Sequence, residues 1–558
     1  MTQPLVDAEG LIKRTFSEEG LAVRSIDRKD YPGETIFVIY VDDGDFSVAA
    51  ELGNTVDAQI EDLGINGFVT VRKADAMAGG LGQRLRQGVS DPRVHELINL
   101  IAARSRASEV QPSLSYIPDA AGNLSTAVAP RHHLIFGRRG AGKTALMVEA
   151  KRVVDQEGSL SLWVNLQTLR HERAEQAYTL ISQRICDRIE AFYSQKGRAP
   201  QALVKATQLR EHLERCDRPN EVVHLIPDMQ VLIHRFLESE GKQLYLFLDE
   251  LHYLPTSEQP RLLDMIHGSV RDCEAWLKVA GIRHLSRWFE TDKSKLRGLQ
   301  LGHDADSIDL DITLENPLRA KEFLEELLRS YTRHIGVRSL VTVFSPESLD
   351  RLVIASGAVP RDYLALSGKA IGQARRRDKA RLVGVQDVNK AAGDAAQVKI
   401  TELEDDAASA AGTTPIIVNG LNRVRRFCID EKSFTFFRID FQDKETRQIE
   451  YSVMQDLMDT RLIHLVDPSL SDKEKAGRRS EAYMLDLSQF SGQRLKRRVK
   501  VLDFENGHLV LKETGRKDAP AKIAQTPKQR QEILRRGPVL ELESLPNGSA
   551  QENGRALD

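Results

Sequence analysis

Hydrophobic positions in this chain change period several times, and each change marks a new element. Leu134-Ile135-Phe136 and Leu244–Leu248 are unbroken apolar runs, the pattern of central parallel strands whose two faces are both covered. Residues 160–166 and 276–282 read the same way. Ile308, Leu310, Ile312 and Leu314 alternate with polar residues, which predicts a strand near the sheet edge. Long helical patterns occupy about 170–194, 201–216 and 222–240 between these strands. The alternation of apolar runs with helices predicts an α/β unit over residues 76–315.

The flanks differ. Residues 1–75 predict a small α+β domain. It has helices over 6–19 and 46–63 and strands over 21–26, 35–41 and 68–71, with Pro32-Gly33 as a turn. A flexible turn, Gly79-Gly80-Leu81-Gly82, and a helix around 94–103 lead toward the α/β unit. The Ser/Pro/Gly-rich stretch that follows is long for a loop, and its position suits it to wrap a base. Residues 316–402 are mostly helical, a lid, and open on Asn316-Pro317, an N-cap followed by proline at the first helical position. An acidic, small-residue stretch at 402–414 reads as a linker. From 415 to 515 come helices and then two strands, 462–466 and 482–487, in the order of a winged helix, and a hairpin about Asn506-Gly507. The tail, 516–558, is polar and expected to be disordered.

Charge narrows the picture only locally. The 79 basic and 81 acidic residues nearly cancel, so contact with nucleic acid would need a patch. The tip between the last two strands supplies one, with Lys473, Lys475, Arg478 and Arg479. Arg494, Lys496, Arg497, Arg498 and Lys500 follow it. Such a wing suits the phosphate backbone of DNA. The four cysteines, at 186, 216, 273 and 428, lack metal or disulfide spacing, which predicts a cytoplasmic protein. A signal sequence is not recognisable at residues 1–7, and no apolar run is long enough to span a membrane. Asp42, Asp43 and Asp45 read as a solvated acidic loop.

The chemistry concentrates in three places. Gly137-Arg138-Arg139-Gly140-Ala141-Gly142-Lys143-Thr144, directly after a strand, fits G-x-x-x-x-G-K-T, the Walker A phosphate loop. Its glycines let successive N–H groups converge on phosphate oxygens. Lys143 supplies a cation for the outer phosphates, and Thr144 a hydroxyl for Mg²⁺. The helix from Ala145 aims its N-terminus at the same anion. Leu244–Glu250 ends a buried strand on two acids, a Walker B pattern. Asp249 is placed to hold Mg²⁺ and Glu250 to orient or deprotonate water. In Gly357-Ala358-Val359-Pro360-Arg361 a cation sits at a helix N-terminus, where the helix dipole disfavours it unless an anion such as a γ-phosphate lies nearby.

Together these pieces resemble AAA+ ATPases of the origin-recognition and initiator type, over about residues 90–500. The resemblance implies a parallel sheet flanked by helices, a helical lid and a winged helix. It implies ATP and Mg²⁺ as cofactors, and Glu250, Lys143 and Arg361 as catalytic residues, Arg361 as a sensor-2 arginine. It also implies a homo-oligomer, with an arginine finger at Arg287 or Arg297. A sensor-1 residue belongs just after strand 276–282. There the family commonly has asparagine, and this chain has Arg283 and His284. Where the family often has an acid two residues past the Walker B glutamate, this chain has His252. Two functions follow by analogy. One is a switch ATPase that assembles on DNA through the wing. The other is a nucleotide-gated scaffold that recruits a protein effector through the N-terminal domain, as in bacterial defence systems.

Overall fold

The computed structural model describes residues 8–31, 34–42, 45–62, 65–73, 88–104, 108–109, 114, 116–118, 121–197, 200–216, 218–292, 295–337, 339–378, 380–407, 413–472, 477–491, 495, 497–515 and 521–546. The chain divides into two units, 1–85 and 86–558. The Gly79–Gly82 turn lies outside the described residues, as do Lys473, Lys475, Arg494 and Lys496 of the basic patch.

The first unit runs α1 (Ala8–Glu18), β1 (Val23–Tyr31), β2 (Glu34–Val41), α2 (Phe46–Asp62) and β3 (Gly67–Lys73). β1 pairs antiparallel with β2, and β3 parallel with β2. Ile12 and Phe16 of α1 and Val56 and Ile60 of α2 close one core with Phe37 and Ile39 of β2.

The second unit begins with α3 (Pro92–Arg104) and α4 (Asn123–Val128). Then come β4 (His132–Phe136), α5 (Lys143–Gln156), β5 (Leu160–Asn165), α6 (Ala174–Lys196), α7 (Gln201–Arg215), α8 (Pro219–His224), α9 (Ile226–Glu240) and β6 (Leu244–Asp249). α10 (Gln259–Val270), β7 (Ala275–Gly281), the hairpin β8 (Phe289–Asp292) and β9 (Lys295–Gly298), and β10 (Ala305–Asp309) complete the α/β part. Its five strands are parallel in the order β10-β4-β7-β6-β5; an edge strand is present as expected, but it starts at Ala305 and ends at Asp309, before Leu310, Ile312 and Leu314 of the alternating run. β6 shows why the run is unbroken. Leu244, Leu246 and Leu248 face the core under α6 to α10, whereas Tyr245 and Phe247 face the core under α4 and α5. Burying that many large apolar side chains stabilises the fold by roughly 1.5–3 kcal/mol each, before the entropy of ordering is subtracted.

The lid is α11 (Pro317–His334), α12 (Pro346–Ala355), α13 (Pro360–Arg375) and α14 (Val385–Ala407). The N-cap expected at its start is present: the Asn316 side chain accepts a hydrogen bond from the Arg319 N–H at 3.2 Å. α3 is read in the sequence as leading into the α/β unit, but it packs on the lid instead. Val94, Leu97 and Ile101 make an apolar stripe that joins the lid core, and the Tyr331 hydroxyl of α11 bonds the Arg104 carbonyl.

Beyond the lid come α15 (Thr413–Arg425), β11 (Phe436–Asp440), α16 (Phe441–Thr446), α17 (Gln448–Asp459), β12 (Ile463–Ser471) and β13 (Arg479–Leu485). The strands pair in the order β11-β13-β12, giving the winged-helix arrangement. The helix expected over 443–459 is broken at Arg447, whose ψ of 60° leaves the helical range. β14 (Lys500–Glu505) and β15 (His508–Glu513) turn at Asn506 (φ 49°) and Gly507 (φ 84°), as the Asn-Gly pair predicts.

Residues 521–546 correct the expectation of disorder there; 516–520 and 547–558 lie outside the described residues. β16 (Lys522–Ile523) pairs with β15, and α18 (Pro527–Leu534) and the segment after it bury Ile533, Leu534, Leu540, Leu542 and Leu545. These apolar residues are sparse within a polar stretch, so composition concealed them. Residues 538–540 run along β11: Arg438 N–H bonds Pro538 O, and Leu540 N–H bonds Arg438 O, both at 2.8 Å. On the other side of the sheet, Arg530 and Arg535 donate to the Val466 and Ser471 carbonyls of β12. Lid and C-terminal part share one continuous hydrophobic core.

Candidate functional site

The site is built where strands β4, β6 and β7 end side by side. β4 delivers the phosphate loop. Gly140 (φ +83°) and Gly142 (φ +104°) take backbone conformations that side chains resist. At Gly140 space is the second constraint: a Cβ there would stand 2.9 Å from the Arg361 Cβ and 3.0 Å from Val359. The Arg361 N–H also donates to the Gly140 carbonyl at 3.3 Å. Thus the lid helix α13 brings Arg361 onto the loop.

Lys143 is buried in the cleft, and its Nζ donates to the carbonyls of Gly137 (2.7 Å) and Arg138 (3.2 Å). Burial lowers its pKa, opposed by the negative charges of Glu250, Asp249, Asp311 and Asp459. The Thr144 hydroxyl donates to Asp249 at 2.8 Å. Burial and the neighbouring Glu250 push the Asp249 carboxyl up to about 7, against the Thr144 hydrogen bond and Lys143. A hydroxyl, a carboxylate with a strong need for a cation, and an ammonium in one cleft fit a magnesium–phosphate group. Thr144 and Asp249 would hold the metal.

Glu250 follows the strand in the left-handed region (φ 65°), and its carboxylate pairs with His252 Nε2 at 3.2 Å. Burial keeps His252 neutral, and its Nδ1 has no hydrogen-bond partner. Thus His252, at the position where the resemblance anticipates an acid, holds Glu250.

Arg138 and Arg139 are expected in the phosphate cradle. Arg138 is engaged elsewhere: its backbone N–H and Nε reach Asp311 (2.8 and 3.3 Å), and its Nη2 reaches Ile312 O (2.9 Å) and Gly357 O (3.4 Å). It braces the loop against β10 and the turn before α13. The Arg139 guanidinium lies 5.9 Å over the Tyr253 ring. Ala141, Gly142 and Ala145 open onto a cavity of about 1020 Å³. Tyr116 and Pro118 of the long loop and Phe323 of the lid form further parts of its wall. His508 and Thr526 from the C-terminal part also line it, which the sequence did not anticipate. Of the finger candidates, Arg287 and Arg297 both lie near Glu290, at 3.5 and 3.6 Å.

Past β7, Arg283 and His284 diverge. Arg283 stacks 4.2 Å over Phe136 and pairs with Asp309. His284 is held by two carboxylates of α17, Asp456 at 3.2 Å on Nε2 and Asp459 at 3.0 Å on Nδ1. Burial alone would lower the His284 pKa, but the Asp456 hydrogen bond and the charge of Asp459 outweigh it, and the pKa is raised. Burial pushes the Asp459 carboxyl up to about 6, with His284, Lys143 and Arg139 pulling the other way.

A second contact with the C-terminal part lies under the Arg361 turn. Gly357 (φ +57°) is pressed against His464, where a Cβ would stand 2.0 Å from Nδ1. His464 Nε2 meets Asp486 at 2.7 Å. Lys399 joins Asp486 (2.9 Å) to Asp362 (3.4 Å), and Arg461 reaches Asp362 at 3.1 Å.

Strand order, phosphate loop, Walker B acids, helical lid and winged helix together define an AAA+ fold. No family model matches the chain, and no curated protein matches it. Among solved structures it is similar to Cdc6p from Pyrobaculum aerophilum, at 11% identity and a TM-score of 0.30, covering 74% of this chain and 94% of that one. It is also similar to the Orc1 protein of Aeropyrum pernix in complex with DNA, at 13% identity and 0.32, covering 67% and 91%. RuvB of Thermotoga maritima is similar at 13% identity and 0.26, covering 51% and 72%.

Proposed function

We propose that this chain is an ATP-binding and ATP-hydrolysing switch whose nucleotide state controls conformation or oligomerisation. The observation that carries the reading is the Thr144–Asp249 hydrogen bond at 2.8 Å, set in the same cleft as the buried Lys143. Mg²⁺, when bound, would neutralise phosphate charge beside Thr144 and Asp249. Lys143 and Arg361 bind and orient the phosphates. Glu250 takes the proton of the attacking water as the bond from the γ-phosphorus to the bridging oxygen breaks and ADP leaves. For that, Glu250 must first give up its contact with His252.

Lys143→Ala is expected to abolish ATP binding in a titration, and retained affinity sinks the phosphate-loop assignment. Glu250→Gln is expected to keep binding and lower turnover by roughly 10²-fold or more. If wild-type turnover is undetectable and the variant changes nothing, the protein is a binding switch and not an ATPase.

What it assembles on divides into two readings. Arg478 and Arg479 are exposed at the wing, and Arg497 and Arg498 are exposed further along the chain, which suits DNA phosphates. The helix that would enter a groove, α17, has no Lys or Arg, which favours a protein partner. Duplex binding that weakens with salt and falls when Arg478 and Arg479 are neutralised supports DNA. Its absence at low salt supports the scaffold.

A further inference from the structure

One short stretch of the C-terminal part, from the end of α17 to the start of β12, reaches the nucleotide cleft. His284 follows β7, whose neighbours in the sheet are the phosphate-loop strand β4 and the Asp249 strand β6. Both ring nitrogens of His284 are held by α17 carboxylates, Asp459 being the more buried. The charges of Lys143 and Arg139 also act on Asp459. An acid in the last turn of a helix is disfavoured by the helix dipole. Here two stand there, and His284 of the nucleotide module compensates them.

The terminal phosphate of a triphosphate needs cations too. A carboxylate held on His284, at the end of the strand between the phosphate-loop and Walker B strands, opposes it, because two anions in one buried place repel. A diphosphate, held by the loop amides and Lys143, asks less of that outer region. Building on the nucleotide reading above, we propose that Asp459 is a specificity-determining residue of this site. While α17 is docked, it makes the site select diphosphate over triphosphate. A triphosphate binds at full strength only when α17 withdraws. Because Arg461 and His464 lie on the same stretch and touch Asp362 and Gly357, withdrawal also frees the turn that carries Arg361.

The test is calorimetric titration of the full chain with Mg²⁺-ADP and with a non-hydrolysable Mg²⁺-ATP analogue. Asp459→Asn keeps the shape and removes the charge. It is expected to tighten the ATP analogue by about tenfold while ADP changes by less than about twofold, the scale of a typical coupling. Asp456→Asn, at the rim of the same contact, should move the ratio the same way by less, and it decides the matter should Asp459→Asn fail to fold. Hydrogen exchange supplies a readout independent of affinity: the ATP analogue should speed exchange across residues 448–464 in the wild type, and ADP should not. An unchanged ATP-to-ADP ratio in both variants, with ADP binding intact, overturns the proposal. A wild type that binds neither nucleotide overturns instead the reading beneath it.

Discussion

Gly357 faces two demands at once, a backbone with φ +57° and an imidazole where a side chain would go. Gly357→Ala is expected to destabilise the second unit by about 3 kcal/mol, combining overpacking with backbone strain, as measured by denaturant unfolding. The next residue, Ala358, has φ +63° and is wholly buried, so the turn is held by its surroundings and not by its own preference. At this scale the sequence was legible where one residue type has one use. Gly140, Lys143, Thr144 and Asp249 come together at one cleft, and the Asn316 cap forms. Arg138 was not legible, because the aspartate that engages it lies 173 residues away. Nor was His252, since a histidine beside a glutamate reads equally as surface or as partner until burial is known.

Elements were legible wherever burial is two-sided or periodic. The apolar runs became β4, β5, β6 and β7, whereas of the alternating run only Ile308 lies in the edge strand β10, which ends at Asp309. What escaped is where helices dock. α17 carried a readable sign all the same: acids at positions 456 and 459, at the end of a helix, require a cation, by the argument that singled out Arg361. β4 yields a pH prediction. His132 and His133 are buried, and burial, with His267 and Lys278 near the first and Lys278 near the second, lowers both pKa values to about 4. Their unfolded value is near 6.5, so between about pH 6.5 and 4 the unfolded chain binds more protons, and stability falls as pH falls. Each histidine should cost about 2 kcal/mol on going from pH 7 to 5. His133→Gln, which keeps an acceptor for Lys278, should flatten part of the fall in melting temperature over that range, the rest coming from His132 and the other buried histidines. An unchanged slope would show that His133 does not set the acid limit.

In the second unit as a whole, the lid, the winged helix and the segment beyond residue 520 share a core. Polar ties add to it: Asn506 N–H donates to Asp350 of α12 at 2.7 Å, and Arg351 pairs with Asp503 at 2.8 Å. The sequence showed these parts as successive blocks, because composition reports boundaries along the chain and not contacts across it. Ending the chain at residue 515 should therefore do more than trim a tail. It removes Ile533, Leu534, Leu540, Leu542 and Leu545 from the core, side chains worth roughly 1.5–3 kcal/mol apiece, and should lower the melting temperature by many degrees.

The same segment has a second consequence. With residues 538–540 along β11, and Arg530 and Arg535 on the carbonyls of β12, the winged sheet presents sealed margins. A visiting strand meets residues 538–540 at Arg438 of β11 and arginine side chains at Val466 and Ser471 of β12, which hinders extension of either edge. Remove the seal, and two unpaired backbones become templates for self-association. The shortened chain should scatter light at concentrations where the full one stays clear.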